Sequence, residues 1–75
     1  MDIKNEVTKA FNKAGTGFAI RYSVQFHKAP DYCAIHDAFI KAVKNVRLSG
    51  LIMIAELELK AWLAYYQGAS EGGAI

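Results

Sequence analysis

The feature that most constrains the fold is an unbroken alternation over residues 18–26, FAIRYSVQF, in which every second side chain is large and apolar. In a β-strand, successive side chains point to opposite faces, so all the large apolar groups would lie on one face. A helix would instead divide them between two nearly opposite sides. Aromatic and β-branched residues also suit a pleated surface. The alternation therefore predicts a strand whose apolar face is formed by Phe18, Ile20, Tyr22, Val24 and Phe26.

Helical patterns lie on both sides of this segment. Apolar side chains recur at helical spacing over residues 2–14, with Asp2 as a fitting N-cap and Gly15 as a fitting end. Pro30 disfavours helical geometry at the preceding residue and suits the first turn of a helix. A second helix is therefore predicted over about residues 31–47.

The last patterned segment, residues 51–67, is ambiguous. Its AELELKA portion alternates like a strand, but Ala, Glu, Leu and Lys are good helix formers. Gly68 also suits a helix C-cap. We expect a helix, with its first four residues, LIMI, possible as an extended start. Residues 68–75 lack pattern and bulk, so the sequence predicts one small domain over residues 1–67 and a flexible C-terminal tail.

The predicted fold class is thus α+β and mainly α, in the order helix, strand, helix, helix. A lone strand leaves its backbone donors and acceptors unpaired on both edges. It could pair with a second copy in a homodimer, with residues 51–54 in a βαβ unit, or with the edge of another protein. We expect the homodimer. The two alternative folds are an all-α four-helix bundle and a compact βαβ unit with flanking helices.

Length and composition constrain what the domain does with its apolar surface. At 75 residues and 53% hydrophobic, the chain is short for so much apolar area, and no run approaches the ~20 residues of a membrane-spanning helix. Cys33 is the only cysteine, so no internal disulfide can form. The lone thiol and a charged N-terminus unlike a signal peptide predict a cytoplasmic, intracellular protein. The excess apolar surface must lie in a core or against a partner.

The third helix carries the predicted partner-binding residues. Glu58 would lie among apolar side chains rather than on the polar stripe of this helix, so it needs a partner or a position at a rim. Trp62, Tyr65 and Tyr66 crowd the end of the helix, and tryptophan and tyrosine dominate interface hot spots. These four residues form the predicted partner-binding set, and the strand over residues 18–26 forms the predicted dimer contact.

Two other kinds of site have weaker support in the sequence. His27, Cys33 and His36 lack the paired spacings of a zinc site, and no phosphate-binding or cofactor loop is recognisable, so no metal or cofactor is predicted. The alternative is a nucleic-acid face on the first helix and strand. The net charge of +2 is too mild to favour it. Its residues would be Lys9, Lys13, Arg21 and Lys28.

The function predicted from these features is a non-enzymatic protein–protein interaction module, since no catalytic constellation is recognisable. In size, the chain resembles the short inhibitor and adaptor proteins that phages and mobile elements encode, including anti-CRISPR and other host-takeover proteins. That resemblance is one of size class, without a shared motif. It implies an inhibitor that blocks a surface of a larger protein, and it assigns no site residues. The alternative function is a small nucleic-acid-binding protein.

Overall fold

The computed structural model describes residues 3–48, 50 and 54–72, and they form three α-helices. Helix α1 spans Ile3–Phe26, α2 spans Tyr32–Leu48 and α3 spans Ala55–Gly72. No strand occurs among the described residues. The helix–strand–helix–helix prediction is therefore wrong.

Helices α1 and α3 run side by side in the same direction. The side-chain amide Nδ2 of Asn12 donates to the carbonyl oxygen of Ala64 at 3.1 Å. One turn further along both helices, the hydroxyl of Thr16 donates to the carbonyl oxygen of Gly68, also at 3.1 Å. Helix α2 runs the other way, because Arg47 near its end pairs with Glu58 near the start of α3.

The contact between α1 and α3 is a close approach of two backbones. A Cβ added at Gly15 would overlap the carbonyl oxygen of Tyr65 and lie 3.1 Å from the amide nitrogen of Ala69. A Cβ at Gly68 would likewise overlap the carbonyl oxygen of Asn12. Real Cβ atoms do not come this near to backbone atoms, so both positions require glycine. The helix-propensity cost of about 1 kcal/mol for each glycine is offset by this packing.

A cluster of aromatic rings joins the three helices at the centre of the core. Phe11 of α1, Phe39 of α2 and Tyr65 of α3 are all buried. Their ring centroids lie 5.6 Å apart for Phe11 and Phe39, 5.7 Å for Phe39 and Tyr65, and 6.4 Å for Phe11 and Tyr65. These tilted and edge-on contacts are the arrangements that aromatic pairs prefer.

The predicted strand is the C-terminal part of α1. Phe18, Tyr22 and Phe26 stack along one side of the helix, with centroid separations of 5.8 and 4.5 Å. Ile20 and Val24 project on another side and are 46% and 72% exposed. The five side chains therefore share no face, and the predicted strand pairing between two copies is wrong. The homodimer itself stays a prediction.

The physical reason lies in the small residues next to the alternating segment. Gly15 and Ala19 are buried. Ala19 lies against Gly72 of α3, because a Cβ added at Gly72 would lie 3.3 Å from the Cβ of Ala19. Thr16, next to Gly15, also faces α3, and only a helix brings these three residues onto one side, because a strand would point Thr16 to the opposite face. The βαβ alternative is also wrong. The all-α alternative has the right class but one helix too many for the described chain, because residues 18–26 continue α1 instead of forming a helix of their own.

The prediction of a helix over about residues 31–47 is confirmed by α2. Asp31 caps it, since its Oδ1 accepts a hydrogen bond of 2.8 Å from the amide of Ala34. Before this cap, α1 ends at Phe26, and the next residue, His27, adopts a left-handed φ of 58° and donates its amide to the carbonyl oxygen of Ser23 at 2.9 Å. The predicted end of the first helix at Gly15 is wrong.

Helix α3 starts later and ends later than predicted. It begins at Ala55 and continues to Gly72, and Gly68, Ala69 and Gly72 are buried. The predicted flexible tail is therefore helical up to Gly72. Residues 51–53 of the possible extended start, the predicted N-cap Asp2 and residues 73–75 of the predicted tail lie outside the described residues.

Candidate functional site

Helix α3 carries a row of apolar side chains on the side that faces away from α1. Leu59 and Leu63 are each 59% exposed and Tyr66 is 39% exposed. Tyr32 of α2, 59% exposed, lies beside Tyr66 with ring centroids 5.8 Å apart. We call the surface formed by Tyr32, Leu59, Trp62, Leu63 and Tyr66 the outward face.

The spacing of residues along α3 explains why this helix has two apolar sides. Leu57, Ala61, Ala64 and Gly68 recur every three or four residues and are all buried. The exposed set of Leu59, Leu63 and Tyr66 follows the same spacing with an offset of two residues, which turns it by about 200° around the helix axis. The helix is therefore apolar on the side that packs and on the side that does not.

Trp62 links the outward face to the core. Its ring lies 5.7 Å from Tyr32, 5.6 Å from Tyr66 and 5.2 Å from Phe39, measured between centroids. A hollow of about 300 Å³ opens beside it, lined among others by Tyr32, Leu59 and Trp62. Aromatic side chains around a small hollow are typical of the anchor positions of protein interfaces.

Charged and polar pairs flank the outward face. The guanidinium of Arg47 lies 2.9 Å from the Glu58 carboxylate, and Lys60 Nζ lies 3.6 Å from a carboxylate oxygen of Glu56. All of these side chains reach solvent, so each pair contributes little to stability. An apolar centre with a polar rim is the usual anatomy of a protein-binding surface.

The predicted partner-binding residues lie in three different environments. Trp62 and Tyr66 belong to the outward face. Glu58 is half-buried at its edge and paired with Arg47, and Tyr65 is buried in the core. The sequence prediction missed Leu59, Leu63 and Tyr32. The signal for the two leucines was their spacing with Tyr66, which is informative only once the packed side of α3 is known.

A second surface is the groove between α1 and α2, which has a volume of about 480 Å³. We call it the α1–α2 groove. Aromatic rings of α1 form one wall, and small side chains of α2 form the other. The aromatic wall consists of Phe18, Tyr22 and Phe26, and the small wall consists of Ala34, Ala38 and Ala42.

Tyr65 of α3 lies at the bottom of this groove. Its side chain is almost entirely covered, with 3% of the residue exposed, and its ring stacks on Phe18 at a centroid distance of 6.3 Å. Its hydroxyl has no hydrogen-bond partner among the described residues. No fully buried polar side-chain atom in the described part of the chain lacks a partner, so this hydroxyl must be accessible, and it meets the groove. Burial raises the pKa of the Tyr65 hydroxyl above its ordinary value of 10.0, and the charge of Arg21 partly offsets that rise.

The residues considered for a metal site do not come together. His27 lies at the end of α1, and Cys33 is an exposed free thiol in the first turn of α2. His36 stacks on Tyr32 with ring centroids 6.1 Å apart. In the described part of the chain, no three His, Cys, Asp or Glu side chains are grouped so that they could hold a metal ion.

The residues of the nucleic-acid alternative are exposed but spread out. Lys9 and Lys13 are one turn apart on α1, and Arg21 lies roughly 18 Å from Lys9 along the helix axis. Arg21 lines the α1–α2 groove, and Lys28 lies beyond the end of α1. The nucleic-acid function stays a prediction.

No protein-family model, curated protein or solved structure matches this chain. Within the residues that the structure describes, no helix is long and apolar enough to cross a lipid bilayer.

Proposed function

We propose that this protein is a non-enzymatic interaction module that uses the outward face of α3 to occupy a surface of a larger protein. The observation that carries the proposal is the exposure of Leu59, Leu63 and Tyr66 in a single row beside Tyr32. Isolated exposed apolar residues are common, but a contiguous row with an aromatic edge is typical of binding sites.

The outward face has the composition of an interface that binds by exclusion of water. Leucine supplies apolar area, while Tyr32, Trp62 and Tyr66 supply large, stiff rings with polar tips. Blocking a partner's surface requires no catalytic group of this chain. The mode of action is therefore steric, as in the small inhibitors that the chain resembles in size. We place the encounter in the cytoplasm, because the only cysteine of the sequence is an exposed free thiol.

A homodimer is the second possible use of this face. With residues 18–26 in α1, two copies can no longer join through a shared sheet, so a dimer contact has to be made by side chains. Light scattering across a concentration series measures the mass of the protein in solution and so distinguishes a monomer from a dimer. A dimer that dissociates in Leu63→Asp would identify a second copy as the molecule bound to the outward face.

Two substitutions of an exposed aliphatic residue by aspartate, on different helices, test the proposal. Wild-type protein, Leu63→Asp and Val24→Asp are used as baits in an extract of the cells that make the protein, because Val24 is an exposed aliphatic residue on α1. A partner captured by the wild type is then purified, and the binding of all three proteins to it is measured by calorimetry.

We expect Leu63→Asp to weaken binding at least tenfold, since a buried interface leucine is replaced by a desolvated charge. Val24→Asp should bind like the wild type. Binding should show a negative heat-capacity change and little salt dependence. Equal binding by Leu63→Asp would contradict the use of the outward face. Affinity for nucleic acid that falls steeply with salt and is lost in Lys9→Gln/Lys13→Gln would favour the alternative function.

A further inference from the structure

The α1–α2 groove has features of a small-molecule site that the proposed function does not use. Its volume of about 480 Å³ falls in the ~300–1,000 Å³ range of ligand pockets. An aromatic wall faces an alanine wall across it, so the space between them is a slot bounded by apolar surface. A slot of this kind accommodates a flat ring or a short alkyl chain.

The floor of the slot has an unused hydrogen-bond donor. The Tyr65 hydroxyl belongs to a side chain that is otherwise covered, and no described residue accepts its proton. Because this hydroxyl is accessible from the groove rather than enclosed, its proton is available to a ligand atom bound there. Because a phenol proton is a good donor, the ligand atom should be an acceptor.

The charges at the rim select the charge of the ligand. Arg21 and Lys41 are cationic and Asp37 is anionic, so the groove has one net positive charge. Arg21 and Tyr65 line the same groove, and the positive charge of Arg21 acts on the phenol. One negative charge on the ligand balances this net charge, whereas two would leave an excess of negative charge in the groove. The complementary ligand is therefore a monoanion.

We propose that the α1–α2 groove binds a small monocarboxylic acid with an arylalkyl body. Its carboxylate accepts hydrogen bonds from the Tyr65 hydroxyl and the Arg21 guanidinium, since the planar fork of arginine matches a carboxylate. Its body lies between the ring of Tyr22 and the methyl group of Ala38. This binding does not depend on the outward face, which lies on α3 and the start of α2.

The probe that tests this is phenylbutyrate, with phenylbutanol as a matched ligand that keeps the body and lacks the charge. Amide chemical shifts of isotope-labelled protein are followed during titration with each ligand. Phenylbutyrate should shift the amides of Ala38, Ala42 and Tyr65 in a saturable manner. Phenylbutanol should bind at least fivefold more weakly, because it offers no charge to Arg21.

Three variants locate the site. Tyr65→Phe should lower the affinity for phenylbutyrate about tenfold, the value of one hydrogen bond to a charged group. Ala38→Leu should abolish binding, because its larger side chain fills the slot. Tyr66→Phe removes a hydroxyl from the outward face and should leave the affinity unchanged. The amide spectrum of each variant without ligand reports directly whether it is folded.

Three results would overturn the proposal. The first is equal affinity for the acid and the alcohol. The second is unchanged affinity in a folded Tyr65→Phe variant. The third is a set of shifts that does not saturate or that centres on Leu59 and Leu63. Loss of partner binding through the outward face would leave this result untouched, so the two proposals fail independently.

Discussion

Helix α1 meets its two neighbours in opposite ways. Toward α3 it presents Gly15, Thr16 and Ala19, and the backbones approach until two glycines are required. Toward α2 it presents aromatic rings, and a groove of about 480 Å³ lies between the helices. Close packing against α3 therefore fixes the position of α1, and its other side does not need to pack closely, so the groove toward α2 remains open.

The two sides also differ in how their polar groups are satisfied. At the α1–α3 contact, Asn12 and Thr16 donate across the interface to backbone carbonyls. In the groove, the Tyr65 hydroxyl has no acceptor among the described residues. Stability should therefore depend on the first surface and ligand binding on the second.

The largest effect is expected from Gly15→Ala. The new Cβ would overlap the carbonyl oxygen of Tyr65, and since backbone atoms cannot turn away, the two helices must separate. We expect a loss of about 3 kcal/mol in the free energy of unfolding, at the upper end for overpacked cores. For a small domain this is much of the total stability. Urea unfolding followed by circular dichroism measures it.

Gly17→Ala is the matched control, two residues away on the same helix. The atom nearest to its new Cβ is the flexible end of Arg21 at 3.4 Å, so the methyl group has room. The substitution should stabilise the protein by about 0.5–1 kcal/mol through helix propensity. If Gly15→Ala were as stable as Gly17→Ala, the close approach of α1 and α3 would be disproved.

These two glycines also explain why the sequence predicted the wrong fold. Gly15 and Gly17 are typical of a break, and the residues after them alternate as in a strand. The helical role of Gly15 depends on Tyr65 and Ala69, which lie fifty or more residues further along the chain, and the sequence assigned Gly68 and Gly72, which pack against Thr16, to a flexible tail. Local patterns do not show such pairing, so α1 was predicted in two pieces.

Helix α2 was predictable because its signals are local. Asp31 caps it, and Ile35, Phe39 and Val43 form its buried side at helical spacing. Trp62 and Tyr66 of the outward face were predictable from residue type alone. Leu59 and Leu63 were not, because leucines on a helix are usually buried and their exposure depends on which side α1 covers.

A smaller loss is expected from Thr16→Val, which removes the hydroxyl and keeps the branched shape. The single proton of this hydroxyl is shared between the carbonyl oxygen of Gly68 across the interface at 3.1 Å and that of Asn12 within α1 at 3.2 Å, and both would lose it. We expect a loss of about 1 kcal/mol in the free energy of unfolding, the usual net value of such a bond. Ser70→Ala removes a solvent-exposed hydroxyl from α3 and is the control, with an expected change within about 0.5 kcal/mol. If the two variants changed the free energy of unfolding equally, the hydrogen bond of Thr16 would not contribute measurably to stability.

A still smaller effect is expected from Ala38→Leu in the groove. Ala38 is half-buried against the core, but its added atoms extend into the open groove beside it, so overpacking should be slight. We expect a change of less than about 0.5 kcal/mol, as at surface positions. The same urea experiment measures it, and a loss comparable with that of Gly15→Ala would mean that α1 and α2 pack as closely as α1 and α3.

The smallest effect at neutral pH is expected from Tyr65→Phe, because the hydroxyl it removes has no acceptor among the described residues. A difference emerges only in alkali. Burial raises the pKa of Tyr65 in the folded protein above 10.0, so above that pH the unfolded chain loses the proton more readily and unfolding is favoured. Below about pH 10 the contribution of Tyr65 is fully present, and it is lost as the pH rises toward the folded pKa. The stability of Tyr65→Phe should therefore fall less steeply than that of the wild type above pH 10, while lysine and the other tyrosines titrate alike in both proteins. Parallel stability curves up to pH 11 would show that the phenol is as well solvated in the folded protein as in the unfolded chain, which would contradict the raised pKa of Tyr65.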